Sequence, residues 1–168
     1  MSTAVYLPLA EYMNTDYEPD CEYVDGVLEG RNVGKNKHSR TVILLGAWFL
    51  AREKRHGRKA MADQRVQVSP SRVRIPDLCL IDPADDNDIT QIPPALWVEI
   101  LSPDDRWSRI QARLDDILRF GVETVWIIDP EEREAWTATP AEGVKRVDDG
   151  TLRCPALNLE LPADEILP

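Results

Sequence analysis

The sequence predicts a mixed α/β (α+β) protein, a β-sheet with helices packed on it. Three observations predict it. Short runs such as WVEIL and VETVWIID are rich in β-branched and aromatic residues. Two substantial helical stretches, Lys37 to His56 and Asp104 to Phe120, interrupt them. Gly, Pro and Asp-Gly pairs punctuate the joins. A chain of 168 residues with 43% hydrophobic content fits one folded domain spanning the whole length, with one core.

In chain order, Leu9 to Asn14 reads as a short helix with Pro8 near its start. CEYVDGVLEGR places an Asp25-Gly26 turn between apolar residues, the mark of a β-hairpin. The helix from Lys37 to His56 ends before Gly57. Val42, Ile43, Leu44, Leu45, Trp48, Phe49 and Leu50 point around most of its circumference, which predicts enclosure by the core or by a second subunit, hence a homodimer. Strands follow at Lys59 to Val68 and Arg72 to Ile81, joined by Ser-Pro-Ser. WVEIL is the next, bounded by Pro93-Pro94 and Ser102-Pro103. In the second long helix Trp107, Ile110, Leu114 and Leu118 form the apolar stripe, and Gly121 closes it. VETVWIID is another strand, and short strands with a turn at Asp148-Asp149-Gly150 complete the chain.

A net charge of −10 excludes a generic nucleic-acid coat, which needs a basic surface to neutralise phosphates. The charge is unevenly spread. Between Arg31 and Lys59 nine Lys and Arg residues face the single acid Glu53, and either a phosphate-binding face or a solubilising surface fits that pattern. Val42 to Ala51, the longest apolar run, is too short to span a bilayer. The first residues lack a basic region followed by an apolar stretch, and Cys21, Cys79 and Cys154 lack metal-ligand spacing. Reduced cysteines in a cytoplasmic protein are the expectation.

Glu99 is the residue that asks for chemistry. An ionised carboxylate inside an apolar strand must reach water, pair with a cation or hold a metal, because unpaired burial costs several kcal/mol. Asp77, after VRIP, and Glu22, at the start of the hairpin, are placed as oddly. Pro76 cannot donate to a ladder, so the strand there is an edge or is locally broken. If the acids converge they form an oxygen-rich site for Mg²⁺ or Mn²⁺. A lone acid in a strand is more often an arginine partner, and arginines are plentiful here.

The ordered series CEYVDGVLEG, a long helix beginning near His38, RIPDLCLI, WVEILSPDDR and GVETVWIIDP resembles the bacterial Uma-type "putative restriction endonuclease" domain, a family of the PD-(D/E)XK nucleases. The similarity runs from about Glu22 to Pro130. It implies a restriction endonuclease-like core, a central mixed β-sheet flanked by helices, and Mg²⁺- or Mn²⁺-dependent cleavage of DNA. Asp77 matches the family's Pro-Asp aspartate and Glu99 the glutamate of its Glu-x-Leu-Ser-Pro motif. The Ile100 carbonyl and Glu22 are further candidate metal ligands.

The superfamily's lysine, two residues after the glutamate, is replaced by Leu101. At the position where Uma-type proteins often carry a lysine on the next helix stands Arg113, which can stabilise charge but is a poor proton acceptor. Gln111, able to donate and accept, is the second candidate for that role, with Arg106 third. Arg109 is expected in a surface network with Asp115 and Asp116. Lys35, Lys37, His38 and Arg40 are candidate nucleic-acid contacts, and His56 is expected to be a solvated helix terminus. The tryptophans are expected in packing, although Trp107 suits a base-stacking surface as well. The competing reading is a catalytically inactive nuclease fold that binds nucleic acid or serves as an interaction module.

Overall fold

The computed structural model describes residues 6–31 and 34–168. Helix α1 (Leu9–Met13) precedes a hairpin of β1 (Cys21–Val24) and β2 (Val27–Gly30). Its turn residues Asp25 and Gly26 have φ of 49° and 91°, the left-handed pair that a two-residue hairpin loop demands. The predicted long helix divides into α2 (Asn36–Leu50) and a single turn, α3 (Glu53–His56). Arg52 causes the break. Its backbone leaves the helical region (φ −119°, ψ 4°), and its guanidinium lies 4.0 Å from the Trp48 ring centre while donating to the Trp48 carbonyl.

Each of the two next predicted strands also divides. The first becomes β3 (Lys59–Ala62) and β4 (Arg65–Ser69), the second β5 (Arg72–Arg74) and β6 (Leu78–Ile81). Both breaks fall side by side, since Asp63, with φ of 51°, donates its N–H to the Asp77 carbonyl. Pro76, without an N–H, stands in the second break. The chain continues through β7 (Ile89–Thr90), β8 (Leu96–Ile100), α4 (Trp107–Phe120), β9 (Val125–Asp129), β10 (Glu134–Thr139), β11 (Gly143–Arg146), β12 (Thr151–Cys154) and β13 (Leu159–Pro162).

The main sheet is mixed, ordered β11-β10-β9-β8-β6-β3, with β8 and β9 parallel and joined through α4. A second sheet runs β2-β1-β5-β4-β7, and β12 pairs with β13. So β3 and β6 belong to one sheet and β4 and β5 to the other.

Alternation along β8 assigns the two faces of the main sheet. Leu96, Val98 and Ile100 pack with Leu45, Trp48 and Phe49 of α2. Trp97 packs with Ile110, Leu114 and Ile117 of α4. Burying such side chains contributes about 25 cal/mol per Å² of apolar surface, so these two layers dominate the fold's stability. By the same period of two, Glu99 faces α4.

Within this chain Ile43 and Leu50 are 63% and 60% exposed, so its described residues enclose one face of α2. Three expectations need correction. Helix α4 starts at Trp107, not Asp104, because Asp105 instead accepts from the Ser102 N–H in a turn. Ile117 is buried in the stripe while Trp107 is 41% exposed. His56 is buried, not solvated: its Nδ1 accepts from the Arg58 N–H, leaving Nε2–H to donate to the Phe49 carbonyl. Cys79 and Cys154 are buried and all three cysteines are free. Among the described residues no helix is long and apolar enough to cross a membrane.

Candidate active site

Sheet register brings the two predicted acids together. β6 and β8 are antiparallel with Leu78 opposite Val98, so one step beyond that pair Asp77 stands opposite Glu99. Directly opposed residues share a face of the sheet. The β6 ladder ends at Leu78, just after Pro76, and the Asp77 carboxylate reaches across to accept from the Ile100 N–H at 2.7 Å. Both acids line a small polar cavity of about 40 Å³, together with Arg31, His38, Ile100, Arg109 and Arg113.

Every carboxylate oxygen of the pair is engaged. Asp77 Oδ1 accepts from Arg31 Nη2 at 3.0 Å and lies 3.4 Å from His38 Nε2. Glu99 Oε1 accepts from the Trp97 indole N–H at 2.6 Å, and Arg113 Nη2 donates to both Glu99 oxygens at 2.8 and 2.9 Å. Of the fates open to a buried Glu99, pairing with a cation is the one present. Burial pushes the Glu99 carboxyl up to about 7, with Arg113 opposing that rise. Burial also works against the charge on Arg113, but Glu99 and Glu22 outweigh it and hold its pKa above the ordinary value. The hydrogen bond to Asp77 raises the pKa of His38. Among the described residues Arg113 Nε is buried without an acceptor.

Glu22 stands apart from the cavity lining. It accepts from Arg74 at 2.8 Å and from the Ile75 N–H at 2.9 Å, and lies 3.1 Å from Arg113. Gln111 is exposed and outside the lining, whereas Arg109, expected in a surface network, lines the cavity. Asp116 pairs with Arg72 and Arg74 instead. Lys35 and Lys37 stand in exposed ion pairs with Asp104 and Glu131, and Arg40 is exposed on α2.

Sequence reasoning missed Arg31 as an Asp77 partner and Trp97 as a Glu99 donor. The second was legible, because residues two apart on a strand share a face. It also missed Gly34, where an added Cβ would stand 2.6 Å from His38 Nδ1; glycine there leaves room for the ring beside Asp77.

The oxygen donors of Asp77 and Glu99 have the chemistry of a Mg²⁺ site. Among the described residues, however, no three acid, histidine or cysteine groups stand together in a metal-holding arrangement. Arg31, His38 and Arg113 neutralise the acids.

The family Uma2, described as "Putative restriction endonuclease", matches residues 6–162. Five chains of solved structures match. One is the crystal structure of "a putative nuclease belonging to DUF820" from Anabaena variabilis ATCC 29413, 22% identical, with a TM-score of 0.83 over 95% of this chain and 96% of that one. That likeness shows a shared fold. No curated protein matches.

Proposed function

The chain belongs to the Uma2 family, described as "Putative restriction endonuclease", and from that premise we propose that it is a metal-dependent endonuclease acting on DNA phosphodiester bonds. One observation carries the reading: adjacent strands deliver Asp77 and Glu99 to one polar cavity that also holds three arginines and a histidine. Acids hold a cation and cations hold a phosphate, and a hydrolase of charged diesters needs both.

In this reading Asp77 and Glu99 would hold Mg²⁺ or Mn²⁺, with the Ile100 carbonyl as the further donor. The ion would supply Lewis acidity toward a phosphate and positive charge to offset the leaving oxygen. To free their oxygens, Arg31 and His38 turn from Asp77 toward the phosphate, and Arg113 keeps one hydrogen bond to Glu99. Arg113 then stabilises the charged transition state in place of the superfamily's lysine. Arg109, on the same cavity wall, orients the diester. Glu22 positions Arg113 from behind the site.

The full engagement of the Asp77 and Glu99 oxygens favours a second reading, a nuclease fold that binds nucleic acid without cleaving it. Titration of Mg²⁺ or Mn²⁺ by calorimetry, with supercoiled plasmid cleavage on the same samples, separates the two. The nuclease binds the ion and nicks plasmid, and Asp77→Asn loses both signals. Wild-type protein that binds DNA with a salt-dependent affinity but neither takes up the ion nor cleaves establishes the second reading.

A further inference from the structure

Beside the candidate catalytic cavity lies a groove of about 370 Å³ that shares Ser102, Asp105 and Ile110 with it. Its aromatic wall is Trp107 and Trp136, whose ring centres are 5.7 Å apart and inclined at 53°. Trp136 is partly buried against the α4-side core, whereas Trp107 is 41% exposed. A tilted pair leaves more of the Trp107 face uncovered than parallel stacking would. The first residue of a helix has spent its largest side chain on solvent next to a functional cavity.

The chemistry of the lining selects an occupant. Among the described residues no lysine or arginine lines this groove, so it is not built for a phosphate. It offers an indole face and the carboxylate of Asp129, whose Oδ1 accepts from the Glu131 and Glu132 N–H groups. A flat heterocycle with exocyclic amino donors satisfies both. The cations stand just outside: Lys35 pairs with Asp104 and Lys37 with Glu131, one and two residues in the chain from the lining residues Asp105 and Asp129. Both pairs are exposed, and such pairs contribute little to stability, so a backbone phosphate exchanges with their carboxylates at small cost.

We propose that this groove receives an unpaired nucleobase, stacked on Trp107, from the strand whose phosphodiester lies at Asp77 and Glu99. The inference rests on the nuclease reading above and deepens it. A base within a duplex has its faces covered by neighbours and its pairing edge occupied, so the substrate is single-stranded or locally unpaired DNA. Phosphates then run along Lys35 and Lys37, with one base turned inward.

Fluorescence anisotropy tests this with a short fluorescein-labelled single-stranded oligodeoxynucleotide and the matching duplex, in EDTA so that cleavage plays no part. The wild type is expected to prefer the single strand. Trp107→Ala weakens that binding roughly tenfold or more, and Trp107→Phe, which keeps an aromatic face, stays within about threefold of the wild type. Single-strand affinity unchanged in Trp107→Ala, or a wild-type preference for duplex, overturns the inference and leaves the nuclease reading standing. A dimer that Trp107→Ala dissociates, with single-strand binding unaltered, overturns it in favour of a second copy on this face. A wild type that binds neither probe overturns this inference, and the nuclease reading is then decided by plasmid cleavage with Mg²⁺ or Mn²⁺. Circular dichroism of both variants shows whether α4 is retained.

Discussion

Two clusters of acids and arginines adjoin in this molecule, made of the same residue types and put to different ends. In the first, Arg74 is 4% exposed and holds Glu22 and Asp116, 2% and 7% exposed, with Arg72 completing the set. In the second, Asp77 and Glu99 meet Arg31, His38 and Arg113 on the wall of a cavity. Arg113 touches both clusters, at Glu22 and at Glu99. The first cluster joins β1, β5 and α4, and its Arg74, Glu22 and Asp116 are buried. The second has a cavity. Residue type does not make a site; access does, together with the ability of charges to exchange partners.

Breaking the closed cluster is expected to cost the most. Arg74→Met leaves two buried carboxylates short of a cation and should destabilise the protein by about 3–5 kcal/mol in urea denaturation. A loss under about 1 kcal/mol would show that the closed cluster is as adaptable as the open one. Asp77→Asn turns one of two accepting oxygens into an NH2 donor facing Arg31 or the Ile100 N–H, so it should cost about 1–3 kcal/mol of stability. Plasmid cleavage should fall by at least about 100-fold, a transition-state loss of several kcal/mol.

A double-mutant cycle sharpens the boundary. Glu22→Gln and Glu99→Gln should couple by about 0.5–3 kcal/mol, because they share Arg113; additive losses would mean the two clusters act separately. Gly34→Ala tests positioning: the added methyl displaces His38, and cleavage should fall on the order of tenfold with an unchanged denaturation midpoint. Asp25→Asn is expected to do least. Asp25 shares Arg72 with the buried Asp116 but lies in water, so its pair is screened and the urea midpoint should not move measurably.

Much of the layout was legible in the chain. The Asp25-Gly26 turn, the α4 stripe and the β-branched runs of β8 and β9 follow from local chemistry, and so does the odd placing of Glu99. The breaks were not legible. Arg52 ends α2 through a side-chain contact with Trp48, and Asp63 and Asp77 interrupt two strands together because each chain crosses from one sheet to the other. No periodicity in a single strand records that another strand breaks beside it.

The sequence by itself determined which residues could carry charge chemistry and the period that turns Glu99 to the α4 face, since alternation depends only on the neighbouring peptide units. Only the tertiary structure decided which charges meet. The β6–β8 register sets Asp77 opposite Glu99, the end of β2 and the start of α2 bring Arg31 and His38 to Asp77, and α4 brings Arg113 to Glu99 and Glu22. Those meetings join residues distant in the chain, and charges in a partly buried site take their meaning from their neighbours in space.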